Sequence, residues 1–476
     1  MTVIEKFKIF LFIIEFFSMI GIYTISFSLS NYKFSIYGLF ISLYFINQMY
    51  SSRKNNLKNI EFDNNIYQLS LNHSYYQNRS ALLVVGHQER KDYWKKCLES
   101  IIKCIQNENR LEYVLIIIDG NTIDDIYMYT MAREILKSNI VEIISISQRG
   151  KRNAMYYGFN KIRQYFTNEI ENVDVIVSDS DTVLNEDAIS KLRSCLYSDP
   201  NNGCATGMLY IYNTNDGLLP KIIDCRYAYA FSIERGCTSY YNCMTCCSGP
   251  LSIYKLSCLD EDILKRFITQ SIIDYKCEPG DDRHLTNLIL AQGFYSKQTN
   301  LAIAGTEAPE NFTRFIRQQL RWSRSYFREL YWQIKAIPYQ SYFLSIVCIY
   351  ETLFPFFVSF WVFYSLFYRK NMYDIIQAFI ISLIVSFIKG ISLYYYFKKI
   401  SMLFMNISYF PLYFSILLPL KIYASMTLLN NKWVTVPHRQ RTLIFQNVPW
   451  DFIFIGLWNV LLIFGIINLF LNELKY

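Results

Sequence analysis

At 476 residues the chain is long enough for two or three domains, and a hydrophobic share of 52% with 17% aromatic is more than a water-soluble globule needs. A formal net charge of +8 would suit nucleic acid, but the basic residues cluster beside apolar segments, as in Lys6 and Lys8, Arg53 and Lys54, and Lys398 and Lys399. Membrane-flanking charge accounts for them, and no nucleic-acid partner is expected. Of the twelve cysteines, eleven fall between Cys97 and Cys277, in a stretch expected to be cytosolic, so free thiols rather than a disulfide framework are expected. Cys243 and Cys246 have zinc-knuckle spacing, yet no second pair completes a site.

Residues 9–29 are apolar apart from Glu15, enough to cross a hydrocarbon core of roughly 30 Å, and a second apolar run covers 34–50. With lysines before the pair and Arg53, Lys54 and Lys58 after it, residues 1–55 are expected to form a transmembrane hairpin with both ends in the cytosol. From Ala81 the pattern changes to short β-rich runs alternating with amphipathic stretches, the pattern of a mostly parallel α/β sheet. Strands are expected at 81–85, at 113–118 ending in Asp119-Gly120-Asn121, and at 173–177 ending in Asp179-Ser180-Asp181. In open α/β sheets ligands bind at the carboxyl ends of strands, where these acids stand, so residues 56–310 are expected to form a cytosolic catalytic domain.

Residues 311–340 carry arginines interleaved with aromatics and suit a helix lying in the membrane interface. Spans are expected at about 342–367, 375–397 and 450–471, within a transmembrane region covering 341–476. Residues 409–429 hold Pro411, Pro419 and Lys421 and are expected to lie in the interface rather than to cross, giving five spans in all. Glu351 and Lys389, well inside their spans, are expected to be paired or to face a wet polymer path.

Two carboxylates one residue apart at a strand end are the minimal device for holding a divalent cation against a diphosphate, which suits Asp179 and Asp181. Asp119 can take the base or ribose of a nucleoside, and the run around Gly150-Lys151-Arg152 offers cations and a flexible glycine for phosphate. Adjacent acids followed by Arg and His, as in Asp281-Asp282-Arg283-His284, supply a carboxylate base with a like-charged neighbour and cations close by. The turn Ser248-Gly249-Pro250-Leu251 permits shallow backbone approach by an acceptor. Gln318, Arg321 and Trp322 offer an amide, a guanidinium for leaving phosphate charge and a ring to stack on a sugar face. Singly, each is also at home on a solvated loop or a lipid-facing helix. In this order, each acid after a strand, they point to a nucleotide-sugar site.

Together these residues resemble the hyaluronan synthases, processive membrane glycosyltransferases with a GT-A catalytic domain. The resemblance rests on Val85-Gly86-His87-Gln88-Glu89, Asp119-Gly120-Asn121, Gly150-Lys151-Arg152, Asp179-Ser180-Asp181-Thr182, Ile233-Glu234-Arg235, 248–251, 280–287 and 318–329, and covers roughly residues 80–440. It implies an α/β GT-A-type glycosyltransferase domain fused to an α-helical transmembrane domain. It further implies that Asp119 binds uridine, Lys151 the diphosphate, and Asp179 and Asp181 a magnesium or manganese ion, with Glu89, Arg152, Gln318 and Arg321 also on the UDP-sugar. Asp282 would be the base, flanked by Asp281 and Arg283, and Ser248, Gly249, Pro250, Cys277 and Trp322 would shape the acceptor subsite. Trp433 and Arg439 would belong to a gating loop near 431–441, where this chain reads Trp433-Val434-Thr435-Val436-Pro437-His438-Arg439 against the family's W-G-T-S-G-R. Beside the animal members, one span fewer is expected after 450–471. The implied partners are UDP-glucuronic acid, UDP-N-acetylglucosamine, the nascent polysaccharide and the lipid bilayer, at the plasma membrane. A chitin or chitin-oligosaccharide synthase shares D-S-D-T and Q-Q-x-R-W and stays open as an alternative, as does a non-catalytic membrane scaffold.

Overall fold

The computed structural model describes residues 2–28, 36–65, 77–147, 150–272, 274–369, 372–430 and 449–473. Trp433, Arg439 and the rest of the expected gating loop lie outside the described residues.

Strands β1 (Arg79–Gly86), β2 (Leu111–Asp119) and β4 (Val173–Asp179) are apolar along most of their length, and alternate side chains of a strand point to opposite faces. Such a strand is stable only where both faces are covered. Leu82, Val84, Val114, Ile116 and Ile118 pack under the helix Lys91–Asn107 through Trp94, Leu98 and Ile101. Ala81, Leu83, Leu115 and Ile117 pack on the other side under the helix Lys151–Tyr165 through Ala154, Phe159 and Ile162.

With β3 (Val141–Ile146), β5 (Val183–Leu184), β6 (Asn202–Ile211), β7 (Ser252–Lys255) and β10 (Tyr295–Thr306), they form one sheet in the order β3-β2-β1-β4-β7-β6-β10-β5. Six of these strands pair in parallel in two blocks, β3-β2-β1-β4 and β6-β10, while β7 and β5 run antiparallel to their neighbours. The remaining strands, β8 (Ser271–Ile272) and β9 (Tyr275–Lys276), make a separate hairpin. From β1 the chain winds outward through β2 and β3, then returns to place β4 on the other side of β1. That reversal opens a crevice at the carboxyl ends of β1 and β4. Val85 pairs with Asp179 and Gly86 with Ile118, so the ends of β1, β2 and β4 are level and their loops share one rim.

The chain is also a multi-pass membrane protein. The helix Val3–Ser28 is followed by Ile36–Asn65, which at 30 residues is about 45 Å long and runs past the expected domain boundary at 56. Its polar end docks on the catalytic domain, where Asn55 and Asn59 donate to the Gln298 carbonyl at 3.0 and 2.9 Å. After the catalytic domain, Phe343–Tyr368, Ile375–Phe397, Ser401–Met426 and Trp450–Asn472 are long and apolar enough to cross a membrane. Three coincide with the expected spans. The fourth overlaps the stretch expected in the interface over 409–426, so by length and composition the described residues of the C-terminal region hold four candidate crossings. Its two prolines are accommodated by a π-helical turn at Tyr413–Leu417. Pro419 has no N–H for the Ser415 carbonyl, which instead accepts from Asn459 Nδ2 at 2.8 Å on the last helix. Lys389 sits over the Phe45 and Tyr229 rings, at 4.5 and 4.8 Å, rather than beside Glu351. All twelve cysteines are free and buried.

Candidate active site

Asp281 and Asp282 open the helix Asp281–Ala291, and the residue before it, Gly280, has a φ of +97°. A Cβ at that position would collide with Ser325 Oγ, so only glycine lets this helix start against the helix Phe312–Ala336. The acids are thereby brought under the strand ends. Lys151, the first residue of its helix, reaches across with Nζ 2.7 Å from Asp179 Oδ1 and 3.2 Å from Asp281 Oδ2. The preceding Gly150, at φ +89°, donates its N–H to Asp119 Oδ2 at 2.9 Å. A Cβ on Gly249 would stand 3.2 Å from Lys151 Nζ and 3.3 Å from Asp179 Oδ2, so a bare backbone is what brings the 248–250 turn to this cluster.

Electrostatics divides the cleft. Burial works against the Lys151 charge, but Asp179 and Asp281 outweigh it and hold the ammonium well above its usual range. Burial likewise opposes ionisation of Asp281, yet Lys151 and Arg152 keep it below the usual carboxylate range. Around Asp181 the balance reverses. Burial, then Glu89, Asp179 and Glu307, push its carboxyl well up, and burial pushes Glu89 up to about 7.

Ser248 is buried, its N–H donating to Thr206 Oγ1 at 3.1 Å, and Pro250 follows in the same turn. Arg321 is drawn toward Asp281, Asp282 and Asp179 although burial lowers its pKa, and Gln318 on the same helix has a buried Oε1 without a partner. Trp322 is 36% exposed, with its ring 6.3 Å from that of Tyr227. Three other candidates face away from Lys151. Arg152 donates to Phe267 O at 3.1 Å and Gln270 Oε1 at 2.6 Å. Arg283 donates to Thr245 Oγ1 at 3.3 Å and lies over the Tyr326 ring. Buried Cys277 follows the β8–β9 hairpin, its N–H donating to Gln270 O at 2.9 Å. Adjacent helical residues point about 100° apart, which is why Lys151 and Arg152 cannot serve one cleft in the same way.

Two positioning groups escaped sequence reasoning. Asp125 accepts from the Gln88 N–H and from the Thr122 N–H and hydroxyl, clamping the loops after β1 and β2 together. The T-x-x-D capping box at Thr122 was the available signal. Glu329 accepts from Gln270 and Asn287 and lies 3.3 Å from His284 Nδ1, tying the Asp281–Ala291 helix to the Phe312–Ala336 helix. It closes the 318–329 run that carries the resemblance, but no role was read for it there.

A mostly parallel sheet with acids at the ends of β2 and β4, faced by an acidic helix start and carried on apolar helices, defines a membrane-borne glycosyltransferase of the GT-A type. The family model described as "Glycosyltransferase like family 2" matches residues 78–325, and the chain belongs to that family. It is 32% identical to hyaluronan synthase 2 of Homo sapiens over 441 residues, covering 83% of this chain and 75% of that protein. It is 31% identical to hyaluronan synthase 3 of Xenopus laevis over 428 residues, covering 81% and 72%. Among solved structures it is similar to a mannosyltransferase from Pyrobaculum calidifontis in complex with GDP-Man and Mn2+. That match has 13% identity and a TM-score of 0.48 and covers 80% of this chain and 99% of that one.

Proposed function

We propose that the protein polymerises UDP-glucuronic acid and UDP-N-acetylglucosamine into hyaluronan by inverting transfer and passes the product through its own membrane helices. The observation that carries the transfer reading is the convergence of Asp119, Lys151, Asp179, Gly249 and Asp281 from five separate elements, with Asp282 beside them. The similarity to hyaluronan synthases of Homo sapiens and Xenopus laevis supports the choice of sugars.

In this reading Asp119 and the Gly150 backbone hold the nucleoside, while Lys151 and Arg321 meet the diphosphate. The acceptor sugar lies over Trp322 and the 248–250 turn. Its hydroxyl oxygen bonds to the anomeric carbon as the carbon–oxygen bond to the diphosphate breaks, the proton passes to Asp282, and UDP leaves. Asp179 and Asp181 would hold a magnesium or manganese ion. The donor set fits: two hard carboxylates, with Asp181 crowded by Glu89 and Glu307, form a negative pocket that a divalent cation relieves. When bound, the ion supplies positive charge opposite the leaving diphosphate. Glu89, Gln318 and, outside the described residues, Trp433 and Arg439 complete the donor pocket. Arg152, Arg283 and Cys277 act from behind it. The catalytic domain is taken to face the cytosol at the plasma membrane.

The deciding experiment supplies the purified protein with each UDP-sugar separately and together, with a divalent cation. Long, hyaluronidase-sensitive polymer only from the pair supports the proposal. Long, chitinase-sensitive polymer from UDP-N-acetylglucosamine alone would overturn it in favour of chitin synthesis.

A further inference from the structure

We infer that Cys246 is a positioning residue for transfer: its thiol holds the Asp282 carboxylate in the orientation from which that group takes the acceptor proton. The inference rests on the assignment of Asp282 as the base. Asp282 Oδ1 accepts from the N–H of Arg283 at 2.8 Å, a contact within its own helical turn that secures one oxygen and lets the other swing. The second anchor is Cys246 Sγ, 3.4 Å from Oδ2.

Cys246 is in turn fixed relative to that helix. The N–H of Cys247 donates to Thr286 Oγ1 at 2.8 Å, and the Thr286 hydroxyl donates to the Asp282 carbonyl, also at 2.8 Å. Arg283 donates to Thr245 on the other side of the cysteine. The loop and the first turn of the helix are thus one unit. Behind the sulfur stands Arg235, with NH2 3.9 Å from Sγ and its guanidinium 3.9 Å over the Phe231 ring. A cation there faces the sulfur lone pairs and turns the S–H toward the carboxylate. Burial and the Asp282 charge push the thiol up to about 12, so the sulfur keeps the proton it donates.

The chemistry explains why a thiol suits this place. An ammonium at the same contact would stabilise the carboxylate strongly and blunt its basicity, whereas a thiol is a weak donor that orients it at little cost. Lys151 bridges Asp179 and Asp281, and the contact to Asp282 Oδ2 is made by the sulfur. The zinc-knuckle spacing is likewise accounted for, since Cys243 turns away to donate to the Thr238 carbonyl at 3.7 Å.

The test uses full-length purified protein and steady-state UDP release. Cys246→Ala is expected to lower turnover roughly 3- to 10-fold with donor KM and UDP affinity unchanged, the size of one weak hydrogen bond to a charged group. Cys246→Ser, which keeps a donor at the same place, should recover part of that loss. Should the alanine protein not fold, Cys246→Val keeps the bulk without the donor and is read against serine in the same way. Wild-type turnover in the donor-less variant, an equal loss in turnover and UDP affinity, or a serine variant no better than alanine would each overturn the inference. Asp282→Asn is run beside them. If it still transfers sugar, the base assignment fails; if it is inactive while Cys246→Ala turns over normally, the role of Cys246 alone fails.

Discussion

On one side of the cleft Asp179 and Asp281 flank the Lys151 ammonium at 2.7 and 3.2 Å; on the other, half-buried Asp181 stands near Glu89 and Glu307. Arg314 is close to this second group but is already engaged by Glu307 at 2.6 and 2.8 Å. The same side-chain type therefore sits in opposite electrostatic states within one site. Where the chain supplies its own cation, Lys151 and Arg152 hold Asp281 below the usual carboxylate range. Around Asp181, where Arg314 is taken up by Glu307, burial and the neighbouring acids push the carboxyl up, and an incoming cation would favour its ionised form.

Removing the base should have the largest effect. Asp282→Asn is expected to cut transfer roughly 10²- to 10⁴-fold, the range for loss of general-base catalysis, with UDP affinity unchanged. Isothermal titration with UDP alongside the transfer assay checks both parts; a matching loss of UDP affinity would contradict the division of labour.

The two halves should then respond with opposite signs. Lys151→Ala leaves Asp179 and Asp281 facing each other and should lower stability by about 2–3 kcal/mol, the buried-pair cost reduced for partial exposure, together with UDP affinity. Asp181→Asn removes crowded charge and should raise the melting temperature without ligand while weakening metal-dependent UDP binding. Melting curves with and without UDP and a divalent cation read both variants. The same sign in both would erase the distinction.

Gly280→Ala should destabilise by about 1–3 kcal/mol, from a side chain forced to positive φ and against Ser325. Adding Ser325→Ala should restore only the steric part, measured as incomplete recovery of the melting temperature. At the small end, Arg266→Ala breaks an Asp262 pair at 2.7 Å, the same distance as Lys151–Asp179, yet should change stability by less than about 0.5 kcal/mol because water screens it. A large effect there would undercut the argument that burial, not distance, separates these pairs.

Much of this was legible in order along the chain. Continuous apolar runs ending in Asp119 and in Asp179-Ser180-Asp181 identify buried parallel strands and the rim that carries the acids, because only a strand covered on both faces is apolar throughout. Apolar length likewise identifies the spans at Phe343–Tyr368, Ile375–Phe397 and Trp450–Asn472. The segment Ser401–Met426 was harder, since its prolines look disruptive until Asn459, on another helix, supplies the lost hydrogen bond to Ser415.

The sequence by itself determined which chemistry is present: two acids at one strand end, an acidic pair at a helix start, a lysine after glycine, and apolar helices to carry them. Local patterns encode these because strand burial, helix starts and span length depend on neighbours in the chain. Only the tertiary structure decided which acid meets which cation. Lys151 is 28 residues from Asp179 and Arg152 is 118 from Gln270, and helical rotation between two adjacent residues sends one into the cleft and the other behind it. Cys246 and Asp282, 36 residues apart, meet for the same reason: their contact depends on how a turn and a helix pack, which no periodicity in either segment records.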